Sequence, residues 1–101
     1  MVNQLLNKKK MAVRTWNEIL TAAAGTVILN DTNAFIYPVS AIYVLEDTVF
    51  NTLTDESGYV KSNYITAPGT VVKAGALITP FDKQKTFVNI DLTSGSVALI
   101  L

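Results

Sequence analysis

The sequence predicts an all-β fold, a small β-sandwich or barrel with one short N-terminal helix and a basic N-terminal arm. Its 101 residues leave room for a single domain. From residue 26 onward, β-branched and aromatic runs are separated by short clusters of Gly, Pro, Asn and Asp. The pattern with helical spacing and the cluster of basic residues both lie before that point. We therefore expect a flexible basic arm at residues 1–14, an anchoring helix at 15–25 and a β-domain at 26–101.

The short helix is predicted from a capping signal and an apolar stripe. Residues 15–18 have the form of a capping box, in which Thr15 caps the helix and Glu18 reaches back to it. Apolar side chains then recur at i, i+3, i+4 and i+7, which places on one face Trp16, Ile19, Leu20 and Ala23. Gly25 is placed to end the helix.

The strands are predicted from apolar runs, alternation and turns. A short apolar run occupies residues 27–29, and residues 41–50 form the longest β-like stretch. Residues 35–39 are aromatic and β-branched, but Pro38 makes this segment an edge or a bend. Residues 87–92 alternate strictly, so one buried face is expected to carry Val88, Ile90 and Leu92.

The last predicted strand, residues 97–101, is apolar on both faces. A strand of this kind needs cover on both sides, and left bare it would promote aggregation. In so small a domain we expect a neighbouring subunit to provide that cover. The expected subunit interface consists of Val97, Leu99, Ile100 and Leu101.

Composition also indicates association. Half of the residues are hydrophobic and 16% are charged, with a mean hydropathy of +0.33. Ordinary soluble domains carry about 25% charged residues. Burial of apolar surface between subunits is the simplest explanation, and a monomer with an unusually apolar surface is the alternative.

The net charge of zero conceals an asymmetry along the chain. The first fourteen residues contain Lys8, Lys9, Lys10 and Arg14 and no acid, and the remainder has four Lys against eight carboxylates, a balance of 4 − 8 = −4. Such an arm can bind a neighbouring subunit or nucleic acid, or remain a solvated tail. Nucleic acid is not an expected partner, because no aromatic side chains are interleaved with the lysines.

The residue types present argue against an enzyme. With no His and no Cys, the chain has no Ser–His–Asp or Cys–His arrangement, no imidazole or thiolate metal site and no disulfide. Adjacent carboxylates such as Glu46 and Asp47 point to opposite faces of a strand. Oxygen ligands at Asp31 and Asn33 are more typical of a turn than of a calcium site. We expect no catalytic activity, cofactor or metal, with a hydrolase using two carboxylates as the remaining enzymatic alternative.

No apolar stretch is long enough to span a bilayer, and the N-terminus lacks the apolar region of a signal peptide. We therefore expect no membrane association. Met1 and Met11 are both candidate starts.

Three segments together resemble a known class of proteins. They are Glu46-Asp47-Thr48-Val49-Phe50 with Leu53-Thr54, then Ala67-Pro68-Gly69-Thr70-Val71 with Gly75, and finally Ile90 to Val97. In this order they resemble the small β-rich virion proteins of tailed bacteriophages, of the head decoration, head-fibre or spike type. The resemblance covers residues 41–101 and not the basic arm or the helix.

The resemblance implies a structural subunit that decorates or stabilises a phage capsid, located in the virion and commonly a homotrimer. The expected partners are further copies of this chain and the major capsid protein or another virion protein. We expect capsid anchoring through the helix and the arm, by Trp16, Ile19, Leu20, Lys8, Lys9 and Lys10.

The alternative is a tail or fibre-tip receptor-binding module. In that case exposed tyrosines would contact host surface glycans, because Tyr combines apolar area with a polar tip. The candidates are Tyr37, Tyr43, Tyr59 and Tyr64.

Overall fold

The computed structural model describes residues 25–67 and 69–101. These ranges contain six strands and one short helix: β1 (Thr26–Leu29), β2 (Ala41–Val44), β3 (Val49–Asp55), α1 (Lys61–Tyr64), β4 (Leu77–Ile78), β5 (Phe87–Ser94) and β6 (Val97–Ile100). The predicted arm and residues 15–24 of the predicted helix lie outside the described residues. So do all the side chains expected to anchor a capsid: Lys8, Lys9, Lys10, Trp16, Ile19 and Leu20.

The strands form two antiparallel sheets, which confirms the predicted all-β class. One sheet has four strands in the order β1-β6-β2-β4, and the other pairs β3 with β5. Apolar side chains from the inner faces of both sheets share one core, which includes Ile42, Val44, Phe50, Leu53, Ile90, Leu92, Val97 and Leu99. The smaller sheet therefore packs over the larger one.

The segment that contains Pro38 lies along the free edge of β5, as an edge position for this proline predicts. Phe35 and Ile90 exchange backbone hydrogen bonds of 2.8 and 3.0 Å, and Val39 and Phe87 exchange two of 2.9 Å. These are isolated bridges rather than a continuous strand. Phe35 and Val39 direct their backbone groups towards β5, so the N–H that Pro38 lacks would lie on the free side of the segment.

Register shifts between β3 and β5 change which side chains reach the core. Phe50 pairs with Leu92, but Thr52 pairs with Asp91, so Asn51 is an extra residue on β3. A second shift between Thr54 and Asp55 leaves Val88 without a partner of its own. The predicted alternation is therefore correct for Ile90 and Leu92 and wrong at its start, where Phe87 is buried and Val88 only half-buried.

Residues 41–50 are not one strand, contrary to the prediction. The chain leaves β2 after Val44 and enters β3 at Val49, crossing from one sheet to the other. At the crossing, the buried Thr48 exchanges backbone hydrogen bonds of 2.8 and 2.7 Å with Val72. In the sequence, Thr48 is indistinguishable from a residue inside a continuous strand, because Thr favours strands. In the structure, it lies at the junction between the two sheets.

The helix α1 was not predicted, because four residues are too few for an apolar periodicity. Its first turn is closed locally, since the Asn63 side-chain oxygen accepts a 2.9 Å hydrogen bond from the Val60 N–H. The turn brings Tyr64 back towards the end of β3.

The expected subunit interface on the terminal strand is wrong for Val97 and Leu99, because these two side chains are buried within the chain. β6 lies between β1 and β2, and its Val97 and Leu99 are 0% exposed within the single chain. Ile100 is also buried, on the opposite face, and Leu101 is half-buried with its N–H donating to the Gly25 carbonyl at 3.0 Å. The core of the chain itself thus covers Val97 and Leu99, whereas a part for Ile100 and Leu101 in a subunit interface stays a prediction.

Candidate functional site

A buried carboxylate organises the turn after β3. Asp55 is 3% exposed, and its Oδ1 accepts hydrogen bonds of 2.9 Å from the backbone N–H groups of both Ser57 and Tyr59. Its Oδ2 accepts a hydrogen bond from the hydroxyl of Tyr64. One side chain thus connects the end of a core strand to both aromatic residues that follow it.

The electrostatics of this pair favour a charged Asp55 and a neutral Tyr64. Burial raises the pKa of Asp55, but the hydrogen bonds from Tyr64, Tyr59 and Ser57 outweigh it and leave the pKa below its usual value. Burial, together with the hydrogen bond to the Asp55 carboxylate, raises the pKa of Tyr64 to about 12. The phenol therefore stays protonated and keeps donating its hydrogen bond at neutral pH.

Tyr64 in turn supports an exposed aromatic ring. The rings of Tyr64 and Phe81 are stacked, with centroids 4.1 Å apart and planes inclined by 4°. The Phe81 N–H donates to the Tyr64 hydroxyl at 3.1 Å. Tyr59 meets the Phe81 ring edge-on at 5.2 Å, and Tyr64 meets the buried Phe87 edge-on at the same distance. We call Tyr59, Tyr64 and Phe81 the aromatic platform.

The platform borders a wide, open depression of about 610 Å³. Its lining comprises Ser57, Tyr59, Phe81, Asp82 and Lys83. Phe81 is 57% exposed and stacks on Tyr64, and Tyr59 is 47% exposed and meets the Phe81 ring. Small-molecule sites usually enclose most of their ligand, whereas this depression is open to solvent and offers an exposed aromatic surface beside a few polar groups. This arrangement suits a ligand with one apolar face and polar edges.

The tyrosines named in the sequence do not form one surface. Tyr59 and Tyr64 belong to the platform, Tyr43 lies on β2 in the four-stranded sheet, and Tyr37 meets Phe35 edge-on at 5.6 Å. Sequence reasoning missed Phe81, since it considered only tyrosines. The signal available was a phenylalanine among polar residues, in the turn-like stretch Pro80-Phe81-Asp82.

A second surface is the outer face of the four-stranded sheet, the face turned away from the core. Alternation along the strands places on it Thr26, Ile28, Ala41, Tyr43, Leu77, Ala98 and Ile100. Cross-strand pairing orders them in two rows, Ile28–Ala98–Tyr43–Leu77 and Thr26–Ile100–Ala41. The terminal-strand residue Ile100 belongs to this face, whereas Val97 and Leu99 belong to the core.

Several other carboxylates stabilise loops. Asp31 accepts a 3.0 Å hydrogen bond from the N–H of Asn33, which is a turn contact. Asp47 accepts from the Ala74 N–H at 3.1 Å and pairs with Lys73 at 3.4 Å, and these two contacts lower its pKa. Glu56 accepts from both the N–H and the hydroxyl of Thr86.

Over residues 25–67 and 69–101, the acidic side chains form no group of three or more suited to a metal ion. In the same ranges, no helix is long and apolar enough to cross a membrane. Comparison with known proteins found no matching family model, no matching curated protein and no matching solved structure.

Proposed function

We propose that this chain is a structural subunit of a tailed-phage particle that decorates or stabilises the capsid as a homotrimer, without catalytic activity. Its N-terminal segment would attach the subunit to the major capsid protein or another virion protein, and the β-domain would form the body exposed on the particle. Three weak attachments on one particle reinforce one another through their effective concentration.

The observation that carries this proposal is that the three segments of the phage resemblance meet in space. Thr48 belongs to the first segment and pairs with Val72. Val72 lies in the second segment, between Val71 and Gly75. Gly95, in the third, packs so closely against the first that a Cβ there would lie 2.6 Å from the Thr48 Cα and 2.7 Å from the Asp47 carbonyl oxygen. The three segments thus build one junction between sheets, which is the arrangement expected if the resemblance reflects a common framework rather than a common reaction centre.

Capsid attachment is tested by comparing charge reversals in the arm and in the body. We expect Lys8→Glu with Lys9→Glu to reduce the amount of protein that sediments with capsids of the same particle, because a basic arm facing an acidic capsid surface loses its attraction. Lys83→Glu with Lys85→Glu is the matched control, since it changes the charge equally on exposed residues of the body. Equal sedimentation of both variants would refute attachment through the arm.

A second candidate, a receptor-binding module for host surface glycans, is favoured by the aromatic platform. The exposed ring of Phe81 can pack against the apolar face of a pyranose, while Ser57, Asp82 and Lys83 provide polar groups at its edge. We expect Phe81→Ala to abolish binding on a glycan array. Tyr37→Ala is the control, because Tyr37 is 65% exposed and lies outside the depression. Absence of glycan binding by the unmodified protein would eliminate this candidate.

A further inference from the structure

The outward faces of the two sheets differ in chemistry. On the smaller sheet, the outward side chains of paired residues are polar and comprise Thr52, Thr54, Asn89 and Asp91. On the outer face of the four-stranded sheet, Thr26 is the one polar residue among the seven positions, and none is charged. Polar alternation of the first kind is typical of a sheet with one face towards solvent, although these four side chains are half-buried and the Oδ1 atoms of Asn89 and Asp91 are buried. The second pattern is typical of a sheet covered on both sides.

Burial at the centre of the outer face points the same way. Ala41, Ala98 and Ile100 are 1%, 7% and 5% exposed, although they point away from the core. Among the described residues, the partly buried apolar side chains that pack against them are Tyr43 and Leu77, which belong to the same face. Neighbours in the plane of a sheet do not shield it from above, so this burial requires a covering layer.

The dimensions of the outer face of the four-stranded sheet indicate what kind of element can cover it. Four strands at about 4.8 Å spacing and four residues at about 3.4 Å rise make a patch of roughly 15 by 13 Å. A stable interface between subunits needs about 800 Å² on each partner, several times this patch. A ten-residue helix is about 15 Å long and 10 Å wide, which matches it.

We propose that residues 15–24 of the same chain cover the outer face, with the predicted apolar stripe Trp16, Ile19, Leu20 and Ala23 turned towards it. These residues join the sheet at its edge strand, because Gly25 directly precedes β1 and its carbonyl is held by the Leu101 N–H at 3.0 Å. The positive φ of 101° at Gly25 suits the left-handed residue that ends a helix. No linker separates the stripe from the face.

This docking gives the stripe an intramolecular role, in place of direct insertion into a capsid. Lys8, Lys9 and Lys10 then remain as the part of the N-terminal segment that reaches a partner. The inference concerns the isolated chain, so it stands or falls independently of the phage assignment.

Fluorescence of Trp16 tests the docking in the full-length protein, because Trp16 is the single tryptophan of the chain. We expect its emission at shorter wavelength than in the urea-unfolded chain, with protection from acrylamide quenching that does not change on dilution. Ile28→Lys places a charge on the outer face at a position 54% exposed, and we expect it to shift the emission to longer wavelength and remove the protection. Ile36→Lys is the matched control at a position 63% exposed away from that face, and it should leave both unchanged.

A measurement without substitutions removes any dependence on how the variants fold. Docking predicts nuclear Overhauser contacts between the Trp16 indole protons and the methyl groups of Ile28 or Ala98. Three results would overturn the proposal: quenching of Trp16 as fast as in the unfolded chain, protection that survives Ile28→Lys, or protection lost on dilution.

Discussion

Asp55 illustrates how one buried side chain fixes a surface. It accepts hydrogen bonds from Ser57, Tyr59 and Tyr64, and Tyr64 in turn stacks on Phe81. In the sequence, acidic and small residues cluster at 55–58, a composition that is typical of a turn. It did not reveal the burial of that carboxylate or its bond to Tyr64. Those depend on α1, which returns the chain to the end of β3.

The depressed pKa of Asp55 predicts a defined loss of stability in acid. A carboxylate with a lower pKa in the folded chain stabilises the fold above the unfolded value of 3.8, and this contribution disappears as the pH falls through the folded pKa. We expect the free energy of unfolding of the native chain, measured by urea titration, to fall below about pH 3.8. The Asp55→Asn variant should be less stable at neutral pH and show a flatter dependence. Asp47→Asn should have a smaller effect, because its side chain is 54% exposed and solvent screens its contacts.

Gly95 shows where a glycine is required rather than merely tolerated. Gly95 and Gly58 have similar positive φ angles of 100° and 94°. Nothing lies within 4 Å of a Cβ at Gly58, whereas a Cβ at Gly95 meets the backbone of Asp47 and Thr48. We expect Gly58→Ala to lower the free energy of unfolding by about 1–2 kcal/mol through backbone strain alone. Gly95→Ala should lower it by clearly more, as measured by urea titration, and equal losses would contradict the close approach at this junction.

At the scale of elements, the sequence predicted strands where alternation and turn residues agreed. The runs that became β1, β5 and β6 follow or precede glycine or Asn/Asp turns, and each contributes apolar side chains to the core, among them Leu29, Ile90 and Leu99. The errors arose where tertiary contacts override local pattern. An extra residue such as Asn51 shifts the alternation on β3, and the buried Thr48 hides the break between β2 and β3.

Because β6 lies inside the four-stranded sheet, a substitution of one of its core residues is expected to lower the stability of the single chain. Leu99 is fully buried in the shared core, so Leu99→Ala removes packing within one chain and leaves a cavity. We expect the free energy of unfolding to fall by about 3–5 kcal/mol. Ile36→Ala, at an exposed loop position, should change it by less than about 1 kcal/mol. A Leu99→Ala variant as stable as the native chain would show that β6 does not occupy the core.

The candidate sites were less predictable than the strands, because they depend on contacts between distant segments. Phe81 meets Tyr64 across 17 residues, and the outer face combines side chains from four strands. Composition did predict one property of the whole molecule. The chain has an excess of apolar residues, which a small domain has difficulty burying. The core accounts for Val97 and Leu99, and the outer face accounts for Ile28, Tyr43 and Leu77.

Other apolar side chains of the described domain belong neither to the core nor to the outer face and are exposed, among them Ile36, Leu45 and Val71. Apolar residues that are exposed singly are normal on a protein surface, so they carry no argument for the proposed trimer.

The measurement that tests the proposed assembly most directly is the mass of the full-length protein in solution, determined by light scattering over a wide range of concentrations. The account predicts three times the chain mass of 11.0 kDa, unchanged on dilution. A mass equal to that of one chain at every concentration would contradict the homotrimer.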